Sequence, residues 1–374
     1  MPRQVPMSAP DVDESDVRAV VEVLRSGRLA LGPAAEGFER DVRERIGVRH
    51  AVAVSSGTAG LHLIVKGLGL GPGDEVLVPS FTFAATVNAL LFEGVRPVFV
   101  DIEPDTFNLA VEDCRLKLND RTRGLMVVDV FGHPAEWDAI SAFAEQHDLL
   151  VIDDSCEALG SDYRGKPIGS FGNAAVFAFY PNKQITTGEG GMIVTDDDDL
   201  AALARSLRNQ GRGEMGAWLE HERMGFNYRM DEMSAALGRS QLRRLDDMVN
   251  RRAHVAAEYT RRLGELSWLR TPVVQSHVRP SWFVYVVLLD PGIDRQHVVR
   301  DLEARGVPAR GYFPPVHLQP YVRRRFELPD GALPVTEDVS RRTLALPFHG
   351  TLSIGEIDRV VDALVASVGS VAHG

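Results

Sequence analysis

Short apolar runs alternate with longer amphipathic stretches through the first half of the chain. Continuous apolar runs of this kind are typical of strands buried on both faces of a sheet that helices cover. The seven runs lie at residues 50–56, 74–80, 96–102, 124–132, 149–155, 174–180 and 190–195. Helical patterns lie between them, for example at residues 58–70 and 138–148. The pattern predicts an α/β fold built on a large, mostly parallel seven-stranded sheet. The last two strands are joined by a loop, so that pair need not be parallel.

The pattern changes in the second half of the chain. A long helical stretch is predicted from Asp231, which fits the N-cap position, to about Leu266. The elements predicted after it are a strand at 281–290, a helix near 294–305, a Pro-rich loop at 309–320 and a helix at about 354–368. We interpret residues 1–245 as a large domain and residues 246–374 as a smaller C-terminal α/β domain.

Composition and charge exclude several classes of partner. The net charge of −11 at pH 7 disfavours a nucleic acid or an anionic membrane surface as a partner. No apolar run approaches the roughly 20 residues of a membrane-spanning helix, and the N-terminus lacks the apolar region of a signal peptide. The two cysteines indicate neither a disulfide framework nor a thiolate metal site. We therefore expect a cytoplasmic protein.

Small and aromatic residues follow the first two predicted strands, where ligands bind in open α/β sheets. Gly57 and Thr58, in SSGTAG at 55–60, open a helix, so main-chain amides there could bind a phosphate. The alternative is a plain strand–helix turn with a hydroxyl cap. Phe81 and Phe83 follow the second strand. They predict either an aromatic surface in the same cleft or core packing.

Charged residues follow the fifth and sixth strands. Asp153 and Asp154 end an apolar strand, and such acids are costly to bury unless a cation pairs with them. The alternative is that both face solvent. Lys183 follows the sixth strand and is one of only four lysines in the chain. A desolvated lysine has a lowered pKa, and its neutral amine can attack an aldehyde, although most lysines are solvated charges.

These four weak signals meet at one edge of the predicted sheet. A phosphate site, an aromatic surface, a carboxylate and an amine are the contacts that pyridoxal 5′-phosphate (PLP) requires of a protein. Their combination predicts a PLP enzyme.

The motifs resemble those of the DegT/StrS family of sugar aminotransferases, which are PLP enzymes of fold type I. The resemblance covers nearly the whole chain in seven ordered motifs. They lie at residues 26–39, 55–61, 79–90, 151–161, 177–193, 224–242 and 310–320.

The resemblance implies a role for five residues in binding the cofactor. Lys183 matches the Schiff-base lysine, and Asp154 matches the acid that pairs with the pyridine nitrogen. Phe83 matches the aromatic residue that stacks on the ring. Gly57 and Thr58 match the phosphate-binding turn.

The resemblance also implies a homodimer with shared active sites. Asn227 matches an asparagine that reaches the phosphate bound by the neighbouring subunit. Two positions depart from the family pattern. Ala178 replaces the usual serine, which removes a hydroxyl contact to the phosphate. Glu157 replaces the usual glutamine or histidine and is expected to contact the cofactor.

The implied reaction moves an amino group from glutamate to C3 or C4 of a nucleotide-linked keto-sugar. Tyr312 and His317, in the Pro-rich loop, are candidates for sugar contact, and a structural role in the loop is the alternative. Two other functions stay open: an aminotransferase for a cyclitol or another cyclic ketone, and a non-catalytic regulator that binds PLP or a nucleotide-sugar. A nucleotide-binding oxidoreductase would need a GxGxxG fingerprint after the first strand, which this chain lacks.

Overall fold

The computed structural model describes residues 4–213, 220–326 and 328–371. Its α-helices are α1 (Glu14–Ser26), α2 (Pro33–Ile46), α3 (Gly57–Gly67), α4 (Ala84–Phe92), α5 (Val111–Lys117), α6 (Trp137–Gln146), α7 (Asp198–Arg208), α8 (Glu232–Leu242), α9 (Leu245–Leu263), α10 (Arg295–Ala304), α11 (Pro320–Arg323), α12 (Pro334–Arg342) and α13 (Ile354–Val371). Its strands are β1 (His50–Val54), β2 (Glu75–Pro79), β3 (Arg96–Val100), β4 (Thr122–Val128), β5 (Leu150–Asp154), β6 (Asp162–Tyr163), β7 (Lys166–Pro167), β8 (Ala174–Ala178), β9 (Gly191–Thr195), β10 (Leu269–Arg270), β11 (Val278–Arg279), β12 (Tyr285–Leu289) and β13 (Thr343–Leu346). None of these helices is both long enough and apolar enough to span a membrane.

The seven-stranded sheet has the order β1-β9-β8-β5-β4-β2-β3, which confirms the predicted large sheet and all seven of its strands. The five strands from β8 to β3 are parallel. Strand β9 is antiparallel to both β8 and β1. Its connection to β8 contains no helix, and a direct connection of this kind joins antiparallel neighbours.

Both faces of this sheet are covered, so its strands are continuously apolar. Helices α3, α4 and α7 pack on one face, and alternate residues such as Met126 and Ile152 point into that layer. The opposite layer contains α5 and α6 and receives Val127 and Val151. Because side chains alternate along a strand, Asp153 and Asp154 at the end of β5 point to opposite faces.

A second core lies around the three-stranded sheet β10-β12-β13. It joins Tyr259 of α9 and Tyr285 of β12 to apolar residues of α10 and α13. Val5, near the N-terminus, packs in the same core, and its amide donates to Gly306 O at 3.2 Å. The first part of α9 packs with the large sheet instead, through Met248. The division near residue 245 stays a proposal, and Val5 packs with the C-terminal elements although it precedes that division.

The long helix predicted from 231 to about 266 is two helices, so that prediction was wrong in this detail. The carboxylate of Asp231 accepts from Ser234 N at 2.9 Å, which confirms the predicted N-cap of α8. Helix α8 ends at Leu242, and Arg244 leaves helical geometry with φ −105° and ψ 7°. The guanidinium of Arg244 pairs with Asp16 at 2.7 Å, a tertiary contact that helix propensity does not anticipate.

Candidate active site

A cavity of about 490 Å³ opens at the carboxyl edge of the parallel strands. Its walls come from the turn between β1 and α3, the start of α4, the end of β5 and the loop between β8 and β9. Phe283, Tyr312 and Phe313 close it from the second half of the chain. This volume lies in the range of small-molecule sites, and the edge is where ligands bind in open α/β sheets.

The amine of Lys183 lies inside this cavity with only 13% of its side chain exposed. Its Nζ is 3.5 Å from Glu157 Oε1 and 3.9 Å from the centre of the Phe283 ring. The other three lysines do not line the cavity: Lys66 pairs with Glu93 at 2.9 Å, Lys117 pairs with Asp113 at 2.7 Å, and Lys166 is exposed. Lys183 is therefore the lysine that this cavity presents to a ligand.

Glu157 is buried and is fixed by the main chain on one side and by the lysine on the other. Its Oε2 accepts from Phe131 N at 2.9 Å, while Oε1 faces Lys183. Phe131 adopts a left-handed conformation with φ 60° in the short turn after β4. Burial raises the pKa of Glu157, and the charge of Lys183 opposes that rise.

Asp154 also lines the cavity and is held at both carboxylate oxygens. Thr86 Oγ1 donates to its Oδ2 at 2.6 Å, and Cys156 N donates to its Oδ1 at 3.3 Å. Thr86 is fully buried in the first turn of α4, and its hydroxyl lies 2.8 Å from that of Thr82. These donors fix the orientation of the carboxylate.

Asp153 is fully buried on the opposite face of the sheet, so neither acid faces solvent. It lies against Asp129, which accepts from Ala135 N at 2.7 Å. Burial raises the pKa of Asp153 well above its usual value, and the charge of Asp129 adds to that rise. Burial also raises the pKa of Asp129 to about 7. Of the two adjacent acids, Asp154 is the one available to a ligand.

The turn after β1 forms the end of the cavity that suits an anion. Helix α3 begins at Gly57, and its N-cap Ser56 accepts from Ala59 N at 3.1 Å. The amides of Gly57 and Thr58 belong to the first turn, where no helical carbonyl is available to them. A Cβ added at Gly57 would lie 2.7 Å from Cys156 Sγ and 2.9 Å from Ala178 Cβ. Glycine is therefore required for this close approach, and the helix N-terminus favours a phosphate.

The two aromatic residues after β2 have different environments. Phe83 lines the cavity with 66% of its surface exposed, whereas Phe81 is fully buried against Phe107 and Phe313. Both expected outcomes thus occur, an open aromatic surface for Phe83 and core packing for Phe81.

The cavity brings together most of the predicted site residues. They are Gly57, Thr58, Phe83, Asp154, Glu157, Lys183 and Tyr312. Asn227 is exposed and does not line the cavity of its own chain. It forms an isolated β-bridge with Asn209, which follows α7. The carbonyl oxygen of the next residue, Tyr228, accepts from Ser55 N at 2.8 Å, so Asn227 lies close to the turn after β1.

His317 lies outside the cavity, with only 1% of its surface exposed. Its amide donates to Ser80 Oγ at 2.9 Å, and its Nδ1 shares a second hydrogen bond of 2.6 Å with the same hydroxyl. Its Nε2 lies 3.4 Å from Glu337 Oε1. This geometry supports a structural role in the Pro-rich loop, and it does not support the predicted contact with a sugar.

Several lining residues were not predicted from the sequence. The Oδ1 atom of Asn182 is buried and has no hydrogen-bond partner among the described residues, and the residue lines the cavity next to Lys183. Thr82 and Thr86 are four residues apart at a helix start, a spacing that could have suggested a shared role. Phe283 comes from a distant segment, and no local signal marks it.

The residues present fit PLP. The cavity offers free helix amides for a phosphate, an exposed aromatic ring, an oriented carboxylate and a largely buried amine.

A family model described as the DegT/DnrJ/EryC1/StrS aminotransferase family matches residues 10–365. The chain belongs to this family. It is a PLP-dependent sugar aminotransferase with the fold of that group, as the sequence motifs predicted.

Individual relatives support the assignment over nearly the full length. The chain is 39% identical over 372 residues to GDP-perosamine synthase of Caulobacter vibrioides, covering 97% of this chain and 98% of the relative. It is 39% identical over 348 residues to dTDP-3-amino-3,4,6-trideoxy-alpha-D-glucose transaminase of Streptomyces venezuelae, covering 92% and 90%. The structure of Spr1654 from Streptococcus pneumoniae in its PLP form matches with a TM-score of 0.93 at 25% identity, covering 98% of this chain and 99% of that chain.

The environment of His317 predicts a pH dependence of the stability of this aminotransferase. Burial lowers the pKa of His317 below its ordinary value of 6.5. As pH falls below about 6.5, the unfolded chain takes up a proton before the folded chain does, so acid destabilises the fold. We expect the melting temperature of His317→Gln apoprotein to fall less steeply than that of the unsubstituted protein between pH 7 and pH 5.

The exposed His254 provides the matched control. His254→Gln should retain the acid dependence of the unsubstituted protein. Parallel pH profiles for all three proteins would show that His317 does not titrate in this way.

Proposed function

We propose that this aminotransferase transfers an amino group from glutamate to C3 or C4 of a nucleotide-linked keto-sugar. The observation that carries the proposal is that the Lys183 amine and the Asp154 carboxylate line the same cavity in a PLP enzyme. The names of the two curated relatives, one a GDP-sugar and one a dTDP-sugar enzyme, support a nucleotide-linked substrate. Because the two nucleotides differ, these names do not favour GDP over dTDP as the carrier of the sugar.

Lys183 is proposed as the residue that binds the cofactor covalently and moves protons. Bound PLP supplies an electron sink for the carbon that carries the transferred nitrogen. A lysine amine that is little exposed to solvent suits both attachment to an aldehyde and proton transfer at that carbon. Glu157 Oε1 lies 3.5 Å from this amine and would orient it within the cavity.

The other walls of the cavity are proposed to orient the cofactor. Asp154 would keep a ring nitrogen protonated, because a fixed carboxylate favours a nearby positive charge. The amides of Gly57 and Thr58 would bind the phosphate, without help from a hydroxyl at position 178, and Phe83 would lie against the ring.

We further propose a homodimer with shared active sites. Phe83 and Tyr180 at the mouth of the cavity are exposed aromatic residues that a second copy could cover. Asn227 is exposed and does not line the cavity of its own chain, which fits a contact to the phosphate bound by the partner subunit.

Tyr312 lines the cavity from the second half of the chain, and we propose it as a contact for the sugar.

Substrate assays separate this proposal from its rivals. Amination of nucleotide-linked keto-sugars without amination of cyclitol ketones supports it, and the reverse preference refutes it. PLP binding without amino-group exchange from any donor would refute the proposal.

Substitution of Lys183 tests its proposed role. Lys183→Ala is expected to lower the rate of amino-group exchange at least about a hundredfold, because it removes the group that attaches the cofactor and moves the proton. The measurements are amino-group exchange and the glutamate-induced shift in the absorbance of bound PLP. Lys166→Ala is the control, since this lysine is exposed and outside the cavity. Exchange at the unsubstituted rate in Lys183→Ala would refute the role.

Substitution of Thr86 tests the orientation of Asp154. Thr86→Val keeps the shape of the side chain and removes the donor to Asp154 Oδ2. Loss of a hydrogen bond to a charged group costs about 1.5–3 kcal/mol, so we expect the Kd for PLP to rise about 10- to 100-fold. Fluorescence titration of the apoprotein measures this change. Thr86→Ser retains the hydroxyl and should bind PLP nearly normally, and equal affinity in both variants would contradict the prediction.

A further inference from the structure

Arg252 is a buried cation that forms no ion pair with any residue the structure describes. The side chain lies in α9 and only 5% of the residue is exposed. Its neighbour Arg251 pairs with Asp11 at 2.5 Å, but in the described part of the chain no carboxylate is close enough to pair with Arg252. Burial lowers the pKa of Arg252 to about 10. An isolated buried charge is costly, so strong compensating hydrogen bonds must stabilise it.

Those hydrogen bonds all go to main-chain carbonyls in two separate segments. Nη2 donates to Lys183 O at 2.8 Å and to Asn182 O at 3.4 Å. Nη1 donates to Trp282 O and to Phe283 O, both at 3.2 Å. The two ends of one planar, rigid guanidinium therefore bind the two segments in a fixed relation.

Both segments act on the same amine. One contains Lys183 itself, and the other contains Phe283, whose ring centre lies 3.9 Å from Lys183 Nζ. A cation over an aromatic face is attracted to it, and that attraction depends on the position of the ring. The separation between the amine and the ring thus depends on the distance between the two backbones that Arg252 joins.

Within the proposed function, we propose that Arg252 is a positioning residue for Lys183. Its guanidinium fixes the lysine backbone from behind and holds Phe283 against the amine. Because α9 also packs in the second core through Tyr259, this arrangement ties the position of the amine to the C-terminal elements. Arg252 does not line the active-site cavity, and in this proposal it does not touch the substrate.

The test compares three variants of the full-length PLP-loaded protein. Arg252→Met removes all four hydrogen bonds, and Arg252→Lys retains a cation without the planar fork. Arg262→Met is the matched control in the same helix, because Arg262 pairs with Asp358 at 2.6 Å and makes no contact with Lys183. The readouts are the melting temperature, the fraction of bound PLP that borohydride fixes to Lys183, and kcat and KM for amino-group transfer at saturating PLP.

We expect Arg252→Met to lower kcat about 10- to 100-fold, with a reduced fraction of PLP fixed to Lys183 and little change in KM for the sugar. Arg252→Lys should lie between this variant and the unsubstituted protein. Arg262→Met should lower the melting temperature while attachment and kcat stay unchanged.

Three results would overturn the proposal. The first is normal attachment and kcat in Arg252→Met, or in Arg252→Lys if the methionine variant does not fold. The second is an equal loss of attachment in Arg262→Met at a matched melting temperature, which would make the effect one of general stability. The third is an unsubstituted protein in which borohydride fixes no PLP to Lys183. That last result would refute the proposed function itself, whereas the first two would leave it intact.

Discussion

The side chain of Lys183 is largely buried, and the site is organised around that burial. The carboxylate of Glu157 and the electron-rich face of the Phe283 ring both lie close to the amine of this lysine. Each of these depends on the same short turn after β4. Phe131 N donates to Glu157, and Phe131 O accepts from Phe283 N at 3.0 Å. A left-handed residue in a loop therefore sets the position of both groups that face the amine.

The two-residue period of β5 decides which acid serves the cavity. Val151 and Asp153 point into one helical layer, and Ile152 and Asp154 point towards the other. A shift of one residue in the pairing of β5 with β4 would exchange the two acids, so register is part of the chemistry of the site. The pairing of β5 with β8 on its other side restricts such a shift, because both ladders would have to change together.

The sequence was most informative where local pattern and topology act together. Strands buried on both faces must be continuously apolar, and this explains why all seven were recognisable. The residues that follow them were recognisable too, because parallel strands bring their carboxyl ends to one edge. The break after Leu242 was not recognisable, since a tertiary ion pair of Arg244 accompanies it. Arg252 and Phe283 were not recognisable from the sequence either. Arg252 binds the carbonyl of Lys183, which is 69 residues away along the chain, and the Phe283 ring contacts the amine of the same distant residue. His317 and Tyr312 share one loop, and only the folded loop distinguishes the buried residue from the one that lines the cavity.

The hydroxyl pair beside Asp154 has a directional consequence. Thr86 has a single hydroxyl proton and donates it to Asp154, so the Thr82 hydroxyl must donate to Thr86. The oxygen of Thr82 is then left with only lone pairs for the cavity that it lines. A hydrogen-bond donor of a ligand can therefore bind to this oxygen, whereas a ligand oxygen that can only accept would be repelled by its lone pairs. The direction of the hydrogen bonds from Thr82 through Thr86 to Asp154 thus selects donors over acceptors at an uncharged side chain.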